Sequence, residues 1–194
     1  MIGETKKSLK KLACVCISLL FMTVSAKATL VDSNSSIVVD NIKYYTQTDK
    51  YVYDLGESVE MLHRVTNLRD EPLTFVFAYQ QQCSFEVWDG ETRIWWWPKL
   101  ISPMMSSFTL QPGEFKEFLQ DWDMMNDNGT WNPIDDFLVS PGIYDVSGQL
   151  RGSTSDGIIP ESVSVPIQII PEPSTLGLLG TGLMAVLSYR MRKK

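Results

Sequence analysis

The middle of the chain is a series of short apolar or alternating runs separated by turn-forming residues. Runs of this length, bounded by Gly, Pro, Asn and Asp and lacking a sustained 3.6-residue period, are typical of β-strands. The pattern predicts eight strands, at residues 43–48, 58–67, 73–79, 85–88, 92–97, 114–122, 142–150 and 162–170. Eight short strands in one body favour an all-β sandwich.

The segments between these strands have turn chemistry. Asp89-Gly90 stands directly after the strand at 85–88, and glycine tolerates the positive φ that a tight hairpin turn needs. Residues 31–36 are polar and turn-forming, so we interpret residues 29–41 as a linker. The sequence therefore predicts one β domain at residues 42–170.

The first 28 residues have the order of a secretory signal. A cluster of lysines precedes an apolar run from Leu12 to Val24, and Ala26 and Ala28 follow at the two positions that signal peptidase reads. The 13 residues of the run, at about 1.5 Å each, give a helix of roughly 20 Å, which is short for a hydrocarbon core of about 30 Å. We therefore expect signal peptidase to remove residues 1–28, rather than a permanent N-terminal anchor.

The last 24 residues have the order of a stop-transfer segment. Pro171, Glu172 and Pro173 lead into the apolar segment 174–189. The chain then closes with four basic residues, Arg190, Arg192, Lys193 and Lys194. Such a cluster belongs on the cytoplasmic side of the membrane, and a 16-residue helix of about 24 Å crosses a bilayer only with thinning or snorkelling. The pattern predicts a hydrophobic helix at 174–189.

This order of Pro-Glu-Pro motif, hydrophobic helix and basic tail resembles the PEP-CTERM sorting signal of Gram-negative bacteria. The resemblance implies transient anchoring in the inner membrane and cleavage near residues 171–173 by an exosortase-type enzyme. It also implies release to the cell surface or to the extracellular polysaccharide matrix. A permanent single-span anchor is the alternative.

Charge and composition exclude some classes of function. The chain is 44% hydrophobic, as expected for a folded globular protein. Between Thr29 and Pro173 there are 8 Lys and Arg against 22 Asp and Glu, a net charge of −14. A surface this acidic has no basis for neutralising phosphates, so we expect no nucleic-acid partner.

Catalytic and metal-binding residues are scarce. His63, the one histidine, falls inside a predicted strand, and Cys83 lies just before another, so the two do not suggest a Cys–His pair. Tetrahedral metal sites need about four ligands, and the chain has neither CxxC nor HxxxH spacing. We predict no catalytic residue, no metal and no cofactor, and a protein that is not an enzyme. Cys83 is the one cysteine outside the signal, so it is available for pairing only between chains.

The acidic segment 121–136 invites comparison with a calcium-binding loop. If Gly129 takes the sixth loop position, Met124 stands at the first, where a carboxylate is required. A thioether is a poor ligand for a hard cation. We therefore expect a solvated acidic loop.

The triplet Trp95-Trp96-Trp97 is the most unusual local feature. On a strand, Trp95 and Trp97 face one side and Trp96 faces the other. One interpretation is a core strand whose second face is covered by the loop Pro98–Ser107. The other is an aromatic platform that stacks on sugar rings.

A wider set of positions in the body follows a known pattern. It comprises Tyr53, Gly56 and Val59; Val65-Thr66-Asn67; Pro72-Leu73-Thr74-Phe75; Phe85, Val87, Asp89 and Gly90; Ile94-Trp95; Leu110, Pro112, Gly113 and Glu114; Trp122; and Pro141, Gly142, Tyr144, Val146 and Gly148. From about Tyr51 to Leu150 the chain resembles the BsuPI-like intracellular proteinase inhibitor domain. The resemblance implies an immunoglobulin-like β-sandwich of about seven or eight strands.

The same resemblance implies a binding function with a protease as partner. An inhibitor of this kind would insert an exposed loop into the active-site cleft, and Pro98–Ser107 and Met124–Asp136 are the candidate loops. The alternative is a structural or carbohydrate-associated component of the extracellular polysaccharide matrix. Inhibition of a protease and retention by polysaccharide distinguish the two.

Overall fold

The computed structural model describes residues 32–98, 102–127 and 137–172. The secondary-structure elements in these ranges are all β-strands. In chain order they are β1 (Ser33–Val39), β2 (Ile42–Thr48), β3 (Val52–Asp54), β4 (Val59–Asn67), β5 (Leu73–Phe77), β6 (Cys83–Asp89), β7 (Thr92–Trp97), β8 (Ser106–Leu110), β9 (Phe115–Trp122), β10 (Met125–Asn126), β11 (Phe137–Leu138), β12 (Gly142–Leu150), β13 (Ser153–Thr154) and β14 (Val163–Ile170). All eight predicted strands are confirmed, with ends displaced by at most two residues.

Two larger sheets contain most of these strands. One has the order β1-β2-β4-β9, and the other has the order β3-β14-β12-β6-β7. A three-stranded sheet, β13-β5-β8, and the pair β10-β11 accompany them. Along β2, β4 and β14 every second side chain is buried. This alternation arises when one face of a sheet packs against another layer.

The core lies between the buried faces of the two larger sheets. Trp122 of β9 packs against Tyr144 of β12, with ring centroids 6.1 Å apart, and against Trp95 of β7 at 6.4 Å. At the centre, His63 of β4 meets Gly148 of β12 so closely that a Cβ on the glycine would lie 2.7 Å from His63 Nδ1. The described residues therefore form an all-β sandwich, as predicted.

The segment expected to be a linker, residues 29–41, is largely a strand. β1 pairs with β2 in continuous antiparallel register from Ser33↔Thr48 to Val39↔Ile42. The turn between them is Asp40-Asn41, with φ of 51° and 58°. Asp and Asn tolerate this left-handed conformation, so they close a two-residue hairpin that the polar run before them obscured. The sandwich therefore begins before residue 42.

The loop expected at 98–107 is shorter than predicted, because Ser106 and Ser107 belong to β8. This strand pairs with β5 from Leu73↔Leu110 to Phe77↔Ser106. Its sequence begins with two serines and shows no clear apolar alternation. The short strands β3, β10, β11 and β13 were also not predicted, so the described strands exceed the expected seven or eight.

A buried asparagine, Asn67, fixes the loops at one end of the sandwich. Its Nδ2 donates hydrogen bonds to the carbonyl oxygens of Glu71 at 2.8 Å and Leu110 at 3.0 Å. Its Oδ1 accepts a hydrogen bond from the backbone N–H of Arg69 at 2.9 Å. Its own backbone carbonyl accepts one from Gly113 at 2.8 Å. One side chain thus holds the β4–β5 loop against the β8–β9 turn.

Candidate functional site

Within the described part of the candidate loop, Met104-Met105 form an exposed apolar pair directly before β8. Met104 is 59% exposed and Met105 is 76% exposed. Methionine side chains are buried in most folded proteins, and an exposed apolar group on a loop is typical of a contact surface. The pair therefore marks this segment as a candidate binding site.

The backbone on either side of the methionine pair is anchored to the segment Tyr79–Gln82. Ser102 accepts a hydrogen bond at its carbonyl from the N–H of Gln80 at 3.2 Å, and its own N–H donates to Gln81 Oε1 at 2.9 Å. On the other side, Ser106 Oγ donates to the carbonyl of Tyr79 at 2.8 Å. Met104 and Met105 thus lie in a segment that is hydrogen-bonded to Tyr79–Gln82 on both sides.

An apolar cleft of about 410 Å³ lies beside this anchor. We call it the edge cleft, and it is lined by Gln80, Gln81, Gln82, Cys83, Phe85, Trp97, Phe118 and Leu119. Leu119 on β9 is 72% exposed at its rim. Because Gln80 and Gln81 also bind Ser102, the edge cleft and the methionine segment share a wall.

Lys116 stabilises the polar side of that wall. Its Nζ donates a hydrogen bond to Gln82 Oε1 at 2.9 Å and lies 4.2 Å from the ring centroid of Phe108. Partial burial lowers the pKa of this ammonium group. These contacts connect β9 and β8 to the segment Tyr79–Gln82, to which the residues on either side of Met104 and Met105 are hydrogen-bonded.

The structure separates the three tryptophans proposed as a platform. Trp95 is 7% exposed and lies in the core, and Trp97 packs against the core from its rim. Trp96 lies on the opposite face of β7, where the Arg93 guanidinium is 5.4 Å from its ring centroid. A bulge opposite Val87 and Trp88 interrupts the register. The triplet is therefore mainly a core strand, and only Trp96 faces outward.

His63 and Cys83 do not interact with each other. His63 Nδ1 is 3.0 Å from Thr46 Oγ1, and burial lowers the histidine pKa to about 4. The Cys83 thiol contacts the carbonyl of Ser84 at 3.6 Å, and burial raises its pKa. A buried neutral thiol is unreactive, which argues against the pairing between chains that the sequence left open.

The described part of the acidic segment contains core residues. Met124 is fully buried with φ of 60°, and the N–H of Asp127 donates to the carbonyl of Ile94 at 2.8 Å. Gly129 and the rest of the predicted loop up to residue 136 lie outside the described residues. Across residues 32–98, 102–127 and 137–172 no group of three His, Cys, Asp or Glu side chains is placed to hold a metal ion.

A second cleft, of about 750 Å³, lies at the Asn67 end and is polar. It is lined by Asp40, Asn41, Leu68, Arg69, Asp70, Glu71 and Ile158. Arg69 is already engaged there, because it donates to the carbonyl of Asp40 at 3.0 Å and to Asp156 Oδ2 at 2.7 Å. This cleft is therefore larger than the edge cleft, and most of its lining side chains are polar.

The predicted sorting residues lie at the limit of the described chain. Pro171 and Glu172 follow β14. Outside the described residues lie Ala26, Ala28, Pro173, the segment 174–189, Arg190, Arg192, Lys193 and Lys194. Within the ranges that the structure covers, no helix is long and apolar enough to cross a membrane.

Sequence reasoning found the methionine segment only as part of a loop and missed the residues across the edge cleft. Phe118 and Leu119 were placed on a strand, but nothing in their spacing indicates that this strand lies beside Trp97. The available signal was an apolar residue at a strand position that should face outward. β9 alternates between its two faces, and Leu119 falls on the exposed one.

Comparisons with solved structures give distant similarities. A β-glucosidase from Erythrobacter marinus has 13% identity and a TM-score of 0.38 over 72% of this chain and 16% of that protein. Spo0M, a sporulation control protein from Bacillus subtilis, has 19% identity and a TM-score of 0.42 over 73% of this chain and 54% of that protein. A CARDB domain from Pyrococcus furiosus has 12% identity and a TM-score of 0.34 over 70% of this chain and 95% of that protein. No curated protein matches the chain.

Comparison with protein families is more informative. Residues 170–193 match the PEP-CTERM protein-sorting motif, which indicates an exported protein sorted through the membrane to the cell surface and processed by an exosortase. Residues 46–154, more than half of the chain, match the BsuPI intracellular proteinase inhibitor model. Both resemblances seen in the sequence are thereby confirmed. This chain belongs to the BsuPI family of intracellular proteinase inhibitors.

Proposed function

We propose that this protein is an exported inhibitor of a protease and that it binds the enzyme through the segment Ser102–Met105. The observation that carries the proposal is the exposed Met104-Met105 pair on a doubly anchored segment. Membership of an inhibitor family supports it. On this proposal the sandwich is immunoglobulin-like, and its role is to hold the loop.

In this mechanism the methionine segment enters the active-site cleft as a substrate mimic. One methionine side chain fills an apolar specificity pocket, and the exposed rim of the edge cleft, including Leu119, packs beside the enzyme. The hydrogen bonds of Ser102 with Gln80 and Gln81, and that of Ser106 with Tyr79, keep the segment in one conformation before binding. A loop that is ordered in advance loses less entropy when it binds.

The test is inhibition of a panel consisting of a subtilisin, a chymotrypsin and a metalloprotease by the purified full-length chain. We expect inhibition of at least one enzyme, weakened about tenfold or more by Met104→Asp combined with Met105→Asp, because a charged side chain does not enter an apolar pocket. Ile159→Asp is the matched control, since Ile159 is 74% exposed far along the chain, in the loop before β14. Equal inhibition by both variants and the parent would exclude this segment as the contact.

The location proposed for this activity is outside the cytoplasm. Signal peptidase would remove residues 1–28, and the segment 174–189 would hold the protein in the inner membrane until an exosortase cleaves near Pro171, Glu172 and Pro173. The body would then reach the cell surface or the extracellular matrix. The PEP-CTERM match supports this order of events.

The competing role is attachment to matrix polysaccharide, and the outward position of Trp96 favours testing it. Trp96 shares its face of the sheet with Trp88 and with the ion pair between Arg93 and Glu86, whose atoms are 2.9 Å apart. Aromatic rings beside polar groups suit stacking on sugar rings. Polysaccharide retention lost on Trp96→Ala, with folding unchanged, would support this role, and indifference in the pull-down would count against it.

A further inference from the structure

The methionines of the sandwich differ sharply in their exposure to solvent. Met61 and Met124 are 1% and 0% exposed, whereas Met104 and Met105 are 59% and 76% exposed. Met125 on β10 is intermediate. A solvent-borne oxidant therefore reaches the sulfur atoms of Met104 and Met105 far more readily than those of the core methionines.

We propose that Met104 and Met105 form a modification site for peroxides, and that its oxidation prevents binding of the protease partner. The second part rests on the proposed function, whereas the first part does not. In the reaction a peroxide oxygen is transferred to the thioether sulfur. An S–O bond forms, the O–O bond breaks, the sulfur is oxidised to the sulfoxide and hydrogen peroxide is reduced to water.

The product differs from methionine in the property that the contact requires. A sulfoxide is polar and accepts hydrogen bonds, so its transfer into an apolar pocket is unfavourable where that of methionine is favourable. The segment itself does not need to change, because its anchors are the backbone of Ser102, the hydroxyl of Ser106 and the side chain of Gln81. Oxidation would thus alter the contact surface while leaving the sandwich folded.

The first measurement is a mass map of oxidation that needs no protease. The purified full-length chain is treated with hydrogen peroxide, digested, and the sulfoxide at each methionine is followed with time. We expect Met104 and Met105 to react at least about tenfold faster than Met61 and Met124, with Met125 between them. Equal rates at exposed and buried methionines would overturn the modification site.

The second measurement links oxidation to binding. We expect peroxide to weaken inhibition by the parent about tenfold or more. The variant Met104→Leu with Met105→Leu is compared with its own untreated sample, and we expect whatever inhibition it has to survive the treatment, because leucine keeps the apolar volume without sulfur. Met125→Leu is the control and should remain as sensitive as the parent. Equal loss of inhibition in the double leucine variant would overturn the link.

The two proposals fail in different ways. If the untreated chain inhibits no protease of the panel, the proposed inhibition and the link to binding both fall, and the mass map still decides whether Met104 and Met105 are the oxidation site. If inhibition is present but the pair oxidises no faster than Met61 and Met124, the inhibitor stands and the modification site does not.

Discussion

His63 shows how strongly the sandwich constrains a single titratable group. The side chain is completely buried, and its Nε2 has no hydrogen-bond partner among the described residues. Burial lowers the pKa from 6.5 to about 4, so the ring is neutral in the folded protein at pH 7. Protonation would place a charge between two sheets, next to Gly148, at a fully buried position.

We expect the free energy of unfolding to fall as the pH decreases from 7 to 5. His63 takes up its proton near pH 6.5 in the unfolded chain and near pH 4 in the folded chain. The contribution of the neutral ring to stability is therefore fully present above pH 6.5 and is lost as the pH falls toward 4. Between pH 7 and 5 the loss should be about 2 kcal/mol, measured by urea unfolding. His63→Gln should remove most of this dependence. An unchanged slope in the variant would show that other groups cause it.

Gly148 is required by the same contact. A Cβ at this position would lie within 2.8 Å of His63 Cβ and Cγ, so Gly148→Ala should cost about 1 to 3 kcal/mol in the free energy of unfolding. Gly142→Ala on the same strand is the control, because its nearest neighbour, Tyr144 Cε2, is 3.5 Å away at an ordinary contact distance. Equal destabilisation by the two substitutions in chemical denaturation would contradict the role of the sheet contact.

At the level of strands and loops, Asn67 connects two loops at one end of the sandwich. We expect Asn67→Ala to destabilise the protein by about 2 to 4 kcal/mol, because two backbone carbonyls and one N–H lose their side-chain partner. Thr66→Ala, on the opposite face of β4, should cost much less. Similar losses for both, measured by chemical denaturation, would mean that the loops do not depend on Asn67.

The sequence predicted strands well where alternation is regular and poorly where pairing depends on tertiary contacts. β12 alternates apolar and polar residues between glycine-containing turns, and both of its ends were predicted correctly. β1 begins Ser-Asn-Ser-Ser, and its place in the sheet follows from the Asp40-Asn41 turn and from the hydrogen bond of Ser33 Oγ to the Pro166 carbonyl at 2.6 Å. Such a contact leaves no periodic signal.

The candidate site was predictable to a similar extent. The sequence indicated a loop at 98–107, but its anchors on Tyr79–Gln82 depend on how β5, β6 and β8 are arranged. The bulge opposite Val87 and Trp88 is likewise invisible in the sequence, and it accompanies the burial of both Ile94 and Trp95. The strict alternation assumed for the tryptophan triplet could not account for that.

At the level of the whole molecule, the sandwich is followed by the PEP-CTERM motif, and the sequence predicts a secretory signal before it, at residues 1–28. We expect the protein isolated from its host to have lost residues 1–28 and the segment after Pro171–Pro173, as measured by intact mass. Replacing Pro171, Glu172 and Pro173 with alanine should keep the tail attached and the protein in the membrane fraction. A native protein that keeps its tail irrespective of the motif would indicate a permanent anchor.

Stoichiometric inhibition is the most direct test of the proposed function. A fixed amount of each protease in the panel is titrated with the full-length chain, and residual activity is recorded together with the integrity of the segment Ser102–Met105. We expect activity of at least one enzyme to fall to a minimum near equimolar inhibitor, with the chain intact. Unchanged activity of every enzyme, or cleavage of the segment without inhibition, would contradict the inhibitor function.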